Sequence, residues 1–158
     1  MRKKTIEDYV ELIYILQKGN KKVHTNDVAH TFHITPASVT EMFQKLSEEG
    51  YIQYEKYCGV TLTKKGEKIA KETKNKHETL RDFLLILGLE ENIADEDACK
   101  IEHLVNPNTM DRLTKFVEFV QKRKNDPRWL EHFKHFYETG EYIDCAEKIK
   151  EKCPFHKK

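Results

Sequence analysis

Residues 99 to 103, CKIEH, set four groups able to bind a metal or a proton within five positions: Cys99, Lys100, Glu102 and His103. If the stretch is helical, 99, 102 and 103 stand at i, i+3 and i+4, and a thiol, a carboxylate and an imidazole leave one face. Donors of the same kind recur at Asp8 and Glu11, three residues apart, and at His77. Each has a plainer reading when taken alone. Asp8 fits a capping-box carboxylate paired with Thr5, and Glu11 a solvated surface residue. His77 fits a hydrogen-bonded core imidazole, and Cys99 a small buried hydrophobe. Their occurrence together at helical ligand spacing is what points to a metal, with the hard oxygens suiting Mn²⁺ or Fe²⁺ and a thiolate favouring softer ions.

The elements that must position these groups follow from apolar periodicity. Ile6, Tyr9, Val10, Ile13 and Leu16 make one stripe of a first helix, with Thr5 as N-cap and Gly19-Asn20 as the stop near Lys18. A short helix fits Asn26 to Phe32, capped by Thr25. TPASVTEMFQKLSEEGYI then opens with Thr35 as N-cap and Pro36 at the first helical position, carries Val39, Met42, Phe43 and Leu46 on one face, and ends at Gly50. YIQYEKYCGVTLT alternates around a Cys58-Gly59 turn and predicts an antiparallel hairpin. Helix, tight turn, helix and hairpin make a winged helix-turn-helix. Beyond it Thr63 caps a long helix to about Leu87, whose stripe is Ile69, Thr73, Leu80, Leu84 and Leu87. A further helix spans Ile93 to Val105 and buries Ala94, Ala98, Ile101 and Val105. Another opens at Pro107 or Asn108 and runs through Leu113, Phe116, Val117 and Val120 to a stop at KRKNDP. Two short helices follow, PRWLEHFKHFYE and EYIDCAEKIKEKC.

The fold class is therefore mostly α: an N-terminal winged helix-turn-helix with a small β-hairpin wing, followed by an α-helical part. The expected divisions are a DNA-binding domain over 1–70, a helical domain over 71–124, and a helical extension over 125–158. At 158 residues the chain is too short for the large catalytic barrels, and its net charge of +1 confines any nucleic-acid surface to a local patch. No apolar leader and no run of 18 apolar residues is present, so a cytoplasmic protein with no membrane partner is expected. In that compartment Cys58, Cys99, Cys145 and Cys153 are expected as thiols or ligands, not disulfides.

In a helix-turn-helix the second helix enters the major groove by its first turns, where small residues permit close approach and hydroxyls meet phosphates or bases. Thr35, Pro36, Ala37, Ser38, Thr40 and Gln44 occupy that region, with Lys45 one turn further. The wing offers Lys56 and Tyr57, and Lys64 and Lys65 follow it. Against this stand the use of many winged helices as protein-interaction modules and the carboxylate of Glu41, which phosphate repels.

TIEDYVELIYIL, TPASVTEMFQKLSEEGYIQYEKYCGVTLTKKGEKIAK, His77 and DEDACKIEHLVNPNTMDRL together resemble the diphtheria-toxin-repressor family of metal-dependent transcriptional regulators, over about residues 5 to 120. The resemblance implies that the part over 71–124 is an α-helical metal-binding and dimerisation domain, and that the protein is a homodimer whose winged helices bind a palindromic double-stranded operator when loaded with Fe²⁺ or Mn²⁺, repressing metal-uptake genes. It implies no enzyme activity and no small-molecule substrate. The manganese-sensing branch has the carboxylates matched here by Asp8 and Glu11 but Glu where Cys99 stands. The iron-sensing branch has Cys there and Met at the Asp8 position. By carry-over one site is Asp8, Cys99, Glu102 and His103, and its neighbour Glu11, His77 and Glu102, with the thiolate tilting preference slightly to iron. Arg81 and Asp95 occupy the positions of the iron branch's ancillary ligands, and the SH3-like third domain of that branch has no counterpart.

Metal between the CKIEH segment and the first helix would then act as a switch on DNA affinity. A winged helix bound constitutively to DNA around a purely structural metal is the alternative, separated by titrating operator affinity against metal. A metalloenzyme with Glu102 as general base lacks any accompanying catalytic set. In the last 30 residues His132, His135, Cys145, Cys153 and His156 offer zinc donors, although a helix pair burying Trp129, Phe133 and Phe136 accounts for the same stretch.

Overall fold

Thr35 and Pro36 start the helix around which the N-terminal half is built. The Thr35 hydroxyl accepts from the Ser38 amide at 3.2 Å and the Pro36 ring occupies the first helical position, whose amide would have no partner. In the computed structural model, which describes residues 2–17, 22–122 and 127–142, the elements are α1 (Lys3–Leu16), α2 (Thr25–Phe32), α3 (Pro36–Glu48), β1 (Ile52–Glu55), β2 (Gly59–Leu62), α4 (Lys64–Ile86), α5 (Glu91–Ile101), α6 (Pro107–Gln121) and α7 (Arg128–Thr139). The protein is thus mostly α with a winged helix-turn-helix, as its periodicities led us to expect.

The chain divides into two compact units, residues 1–78 with Cys99–Leu104, and residues 79–98 with 105–158. In the first unit α1, α2 and α3 pack their apolar stripes against the hairpin. Val10, Ile13, Val28, Val39, Phe43, Leu46 and Val60 are all excluded from solvent. Burial of each such side chain is worth roughly 1.5–3 kcal/mol before entropy is charged. Phe43 meets Tyr54 edge to face at 5.4 Å, which fastens α3 to the wing. β1 and β2 are antiparallel with Gln53 opposite Thr61, and Val23 adds a bridge to Val60. That bridge brings Val23 O within 2.7 Å of where a Cβ on Gly59 would lie, and Gly59 has φ +92°, so only glycine suits the start of β2.

In the second unit Leu80, Ala98 and Met110 form a small buried cluster with Val105 and Leu113 against it. Phe116 contacts Phe83 at 5.8 Å and Trp129 at 5.9 Å between ring centroids.

Four boundaries differ from the sequence reading. α1 begins at Lys3 with Arg2 as its cap, because the Arg2 carbonyl already accepts from the Ile6 amide; Thr5 lies inside the helix and caps nothing. Thr25 is the first helical residue of α2 and His24 the cap, its amide held by the Asp27 carboxylate at 2.8 Å. α5 runs from Glu91 to Ile101 and stops there, leaving Glu102 and His103 in a turn and Ile101 exposed. The stop has a local cause: Asn106 must be extended (ψ 140°) to cap α6 ahead of Pro107, so the chain leaves helical geometry beforehand. In α7 the buried side chain is Leu130, whereas Trp129 is 45% exposed. The second tail helix, the Gly19-Asn20 stop, Cys145, Cys153 and His156 lie outside the described residues.

Candidate metal centre

α1 turns Ile6, Val10 and Ile13 into the core, and the helical repeat leaves Glu7, Asp8 and Glu11 along the neighbouring side. α4 supplies His77, and the end of α5 with its following turn supplies Cys99, Glu102 and His103. All belong to the first compact unit. Glu102 is only 2% exposed, and its carboxylate divides between two imidazoles. Oε2 lies 3.1 Å from His77 Nδ1, and Oε1 lies 3.2 Å from His103 Nε2. Asp8 Oδ1 approaches His103 Nε2 to 2.8 Å. Yet His103 Nε2 is buried without completing a hydrogen bond to any of these oxygens. Its ring is engaged from the other side, where Nδ1 donates to Glu7 Oε2 at 2.8 Å.

The electrostatics of the cluster run one way. Burial raises the Asp8 carboxyl above its ordinary pKa, against the pull of His103 and Lys4. Burial, then the charge of Glu102, pushes Glu11 up to about 7, although His77 and His103 pull the other way. Burial and the charges of Glu102, Asp8 and Glu11 raise the Cys99 thiol, which stands at the exposed side of the group. Asp8, Glu11 and the Cys99 thiol thus crowd beside Glu102 where their charged forms are disfavoured by desolvation and neighbouring negative charge, which a divalent cation would relieve. Among the described residues no three of these side chains already stand as a metal cage; the imidazoles meet the carboxylates directly. The donor types and the unsatisfied Nε2 fit a first-row divalent ion.

Sequence reasoning brought Asp8, Glu11, His77, Cys99, Glu102 and His103 to notice and missed Glu7. The available signal was a carboxylate set in the stripe of Ile6 and Val10, where a solvated residue has no place; Glu7 is 4% exposed.

On the opposite role, Thr35, Pro36, Ala37, Ser38, Gln44 and Lys45 are exposed along α3. Several are already engaged locally. The Ser38 and Thr35 hydroxyls lie 3.0 Å apart, and Thr40 donates to the Pro36 carbonyl at 2.9 Å. At the wing tip Tyr57 is 87% exposed with φ +69°, and the Lys56 ammonium sits 5.4 Å from its ring centroid. Lys64 is exposed, while Lys65 donates to the Glu49 carbonyl at 2.8 Å and lies 4.0 Å over the Tyr51 ring.

Two family models match the chain. Residues 1–60 match the iron dependent repressor N-terminal DNA binding domain, and residues 63–130 match the iron dependent repressor metal binding and dimerisation domain. The chain belongs to the iron-dependent repressor family. It is accordingly a metal-dependent, DNA-binding transcriptional regulator of a dimer-forming family, and not an enzyme. An uncharacterized HTH-type transcriptional regulator of Methanocaldococcus jannaschii is 43% identical over 116 residues, 72% of this chain and 93% of that one. The HTH-type transcriptional regulator MntR of Bacillus subtilis is 39% identical over 125 residues, 77% of this chain and 88% of that one. Among solved structures, the manganese regulator SloR superposes with a TM-score of 0.64 at 31% identity, covering 77% of this chain and 56% of that chain. This repressor-family chain therefore spans about half the length of that neighbour. Among the described residues no helix is long and apolar enough to cross a membrane.

Proposed function

We propose that this family member is a metal-activated repressor, and that its sensor is the cluster joining α1 to the Cys99–His103 segment and His77. The observation that carries the reading is Glu102, a buried carboxylate with one oxygen toward each of two imidazoles. Asp8, Cys99, Glu102 and His103 would hold one ion, and Glu11, His77 and Glu102 a second. A bound divalent ion supplies the positive charge and shared coordination that this crowded set of anions needs. An ion held by Asp8 and Glu11 together with Glu102 would offset the repulsion among these carboxylates, so its occupancy would couple to how firmly α1 is held against the turn after α5. Such coupling is typically ~1–3 kcal/mol.

The DNA-reading residues are Ala37, Ser38, Thr40 and Gln44 from α3, presented by the Thr35-Pro36 cap, with Lys45, Lys56, Tyr57, Lys64 and Lys65 for phosphates. The partner is a palindromic operator bound by a homodimer, two copies of α3 meeting half-sites about 34 Å apart. Residues 1–70 carry the DNA-binding role, 71–124 sensing and dimerisation, and 125–158 form an extension. On this reading the protein acts in the cytoplasm and its targets are metal-uptake genes. The ion is Fe²⁺ or Mn²⁺. Similarity to the manganese regulators supports Mn²⁺, whereas the thiol at Cys99 tilts the set slightly to Fe²⁺.

The deciding experiment selects duplex targets for the reduced protein from a random library and titrates binding with Mn²⁺ and with Fe²⁺ under anaerobic conditions. Affinity rising at least about tenfold with metal supports the switch, in line with the usual coupling range. Affinity independent of metal rejects it.

A further inference from the structure

The unsatisfied Nε2 of His103 directs attention to the atom that controls it. Neutral imidazole carries one ring proton, and the hydrogen bond at one nitrogen decides which nitrogen keeps a lone pair. Here the deciding partner is Glu7. The ring meets Glu7 Oε2 from Nδ1 at 2.8 Å in hydrogen-bonding geometry, whereas Nε2 completes no hydrogen bond, so the geometry favours the ring proton on Nδ1. Nε2 then keeps the lone pair, 2.8 Å from Asp8 Oδ1 and 3.2 Å from Glu102 Oε1. Glu7 is itself held. Its other oxygen, Oε1, faces the ammonium groups of Lys3 at 3.7 Å and Lys76 at 3.8 Å. Lys76 is the α4 neighbour of His77, so one helix turn supplies both a donor to the cluster and a counter-charge to the residue behind it. The side chains of Glu7 and His103 are 5% and 2% exposed, which leaves water little part in the exchange.

We propose that Glu7 is a positioning residue of the metal centre: it fixes His103 as the Nδ1–H tautomer and aims Nε2 at the space between Asp8 and Glu102. The inference rests on the metal reading above and adds a residue to it. Carboxylates behind ligating histidines act in this way, and their loss typically costs ~10–100-fold in metal affinity.

Two measurements on the full chain test it. In metal-free protein, long-range ¹H–¹⁵N spectra of the imidazoles report which nitrogen of His103 is protonated. Native protein and Glu7→Gln, whose carbonyl still accepts, should show Nδ1–H. Glu7→Ala should move the proton toward Nε2. Titration with Mn²⁺ alone should then find Glu7→Ala weaker by ~10–100-fold and Glu7→Gln weaker by less than about tenfold. A native His103 protonated on Nε2 overturns the proposal whether or not Glu7→Ala folds, as does native Mn²⁺ affinity in a folded Glu7→Ala. Native protein that binds neither Mn²⁺ nor, without oxygen, Fe²⁺ overturns the metal reading beneath it, and the tautomer spectra still decide whether Glu7 sets the ring.

Discussion

His77 Nδ1 stands 3.1 Å from Glu102 Oε2, although 25 residues separate the two and they come from α4 and from the turn after α5. The same carboxylate turns its second oxygen to His103 Nε2 at 3.2 Å. One buried side chain therefore ties together the donors of three chain segments, α1 included through Asp8 and His103. Few single substitutions could separate a metal response from the fold so directly.

Glu102→Ala should abolish metal-dependent DNA binding while the dimer remains. Removing the carboxylate leaves His77 without its 3.1 Å hydrogen-bond partner, a loss of roughly 1–3 kcal/mol that a core including Phe43, Leu46 and Ile13 can absorb. The check is sedimentation for the dimer together with DNA affinity at increasing Mn²⁺ and Fe²⁺. A retained metal response would remove Glu102 from the sensor.

On α3, Gln44→Ala should weaken binding to the selected duplex and relax its sequence preference, by ~1–3 kcal/mol if the amide reads a base edge. Ser38→Ala and Thr40→Ala should also weaken specific binding. Ser38→Ala removes in addition a 3.0 Å hydroxyl contact that steadies Thr35, so its effect mixes reading with capping. Lys64→Ala should weaken all sequences alike and reduce the salt slope by about 0.9, the share of one phosphate contact. Lys65, already bonded to the Glu49 carbonyl, should change the slope less. Full specificity in the Gln44, Ser38 and Thr40 variants would mean that α3 is not the reader.

Gly66→Ala should destabilise the protein by about 1–3 kcal/mol. A Cβ there would overlap the Tyr51 carbonyl, a backbone group that cannot swing aside. Thermal unfolding measures the loss. An unchanged melting temperature would show that the first turn of α4 does not press against Tyr51.

The reach of sequence reasoning can be judged from particular residues. Thr35-Pro36 and Thr63 were legible because capping chemistry is local, each depending on residues within three positions, whereas the hairpin turn expected at Cys58-Gly59 occupies 56–58 and Gly59 opens β2. Thr5 and Thr25 misled for the same reason. A hydroxyl is a good cap wherever the helix starts, but the starts were set earlier, three residues before Thr5 by Arg2 and one before Thr25 by His24. Glu102 and His103 were singled out on helical spacing and stand instead in the turn after α5, so the stated geometry was not the one that places them. Glu7 escaped because its partner, His103, lies 96 residues away, and no periodicity encodes such a pairing.

Cys99 distinguishes this chain most sharply from a cluster of oxygens and imidazoles alone. A thiolate is softer than a carboxylate and cannot bridge two ions through paired oxygens. Cys99→Glu should therefore raise activation by Mn²⁺ relative to Fe²⁺ or Co²⁺, by adding a carboxylate beside Asp8, Glu11, Glu102, His77 and His103. The native protein, for its part, should show a thiolate-to-metal charge-transfer band with Co²⁺ that Cys99→Ser lacks. Metal binding must draw the proton from a thiol whose pKa burial and neighbouring carboxylates have raised, so the band should strengthen as pH rises. Both comparisons have to be made under reduction, since an exposed thiol beside iron is open to oxidation. If Cys99→Ser leaves the Co²⁺ spectrum and the order of metal preference untouched, the thiol is only a packing group, and selectivity must lie with Asp8 and Glu11.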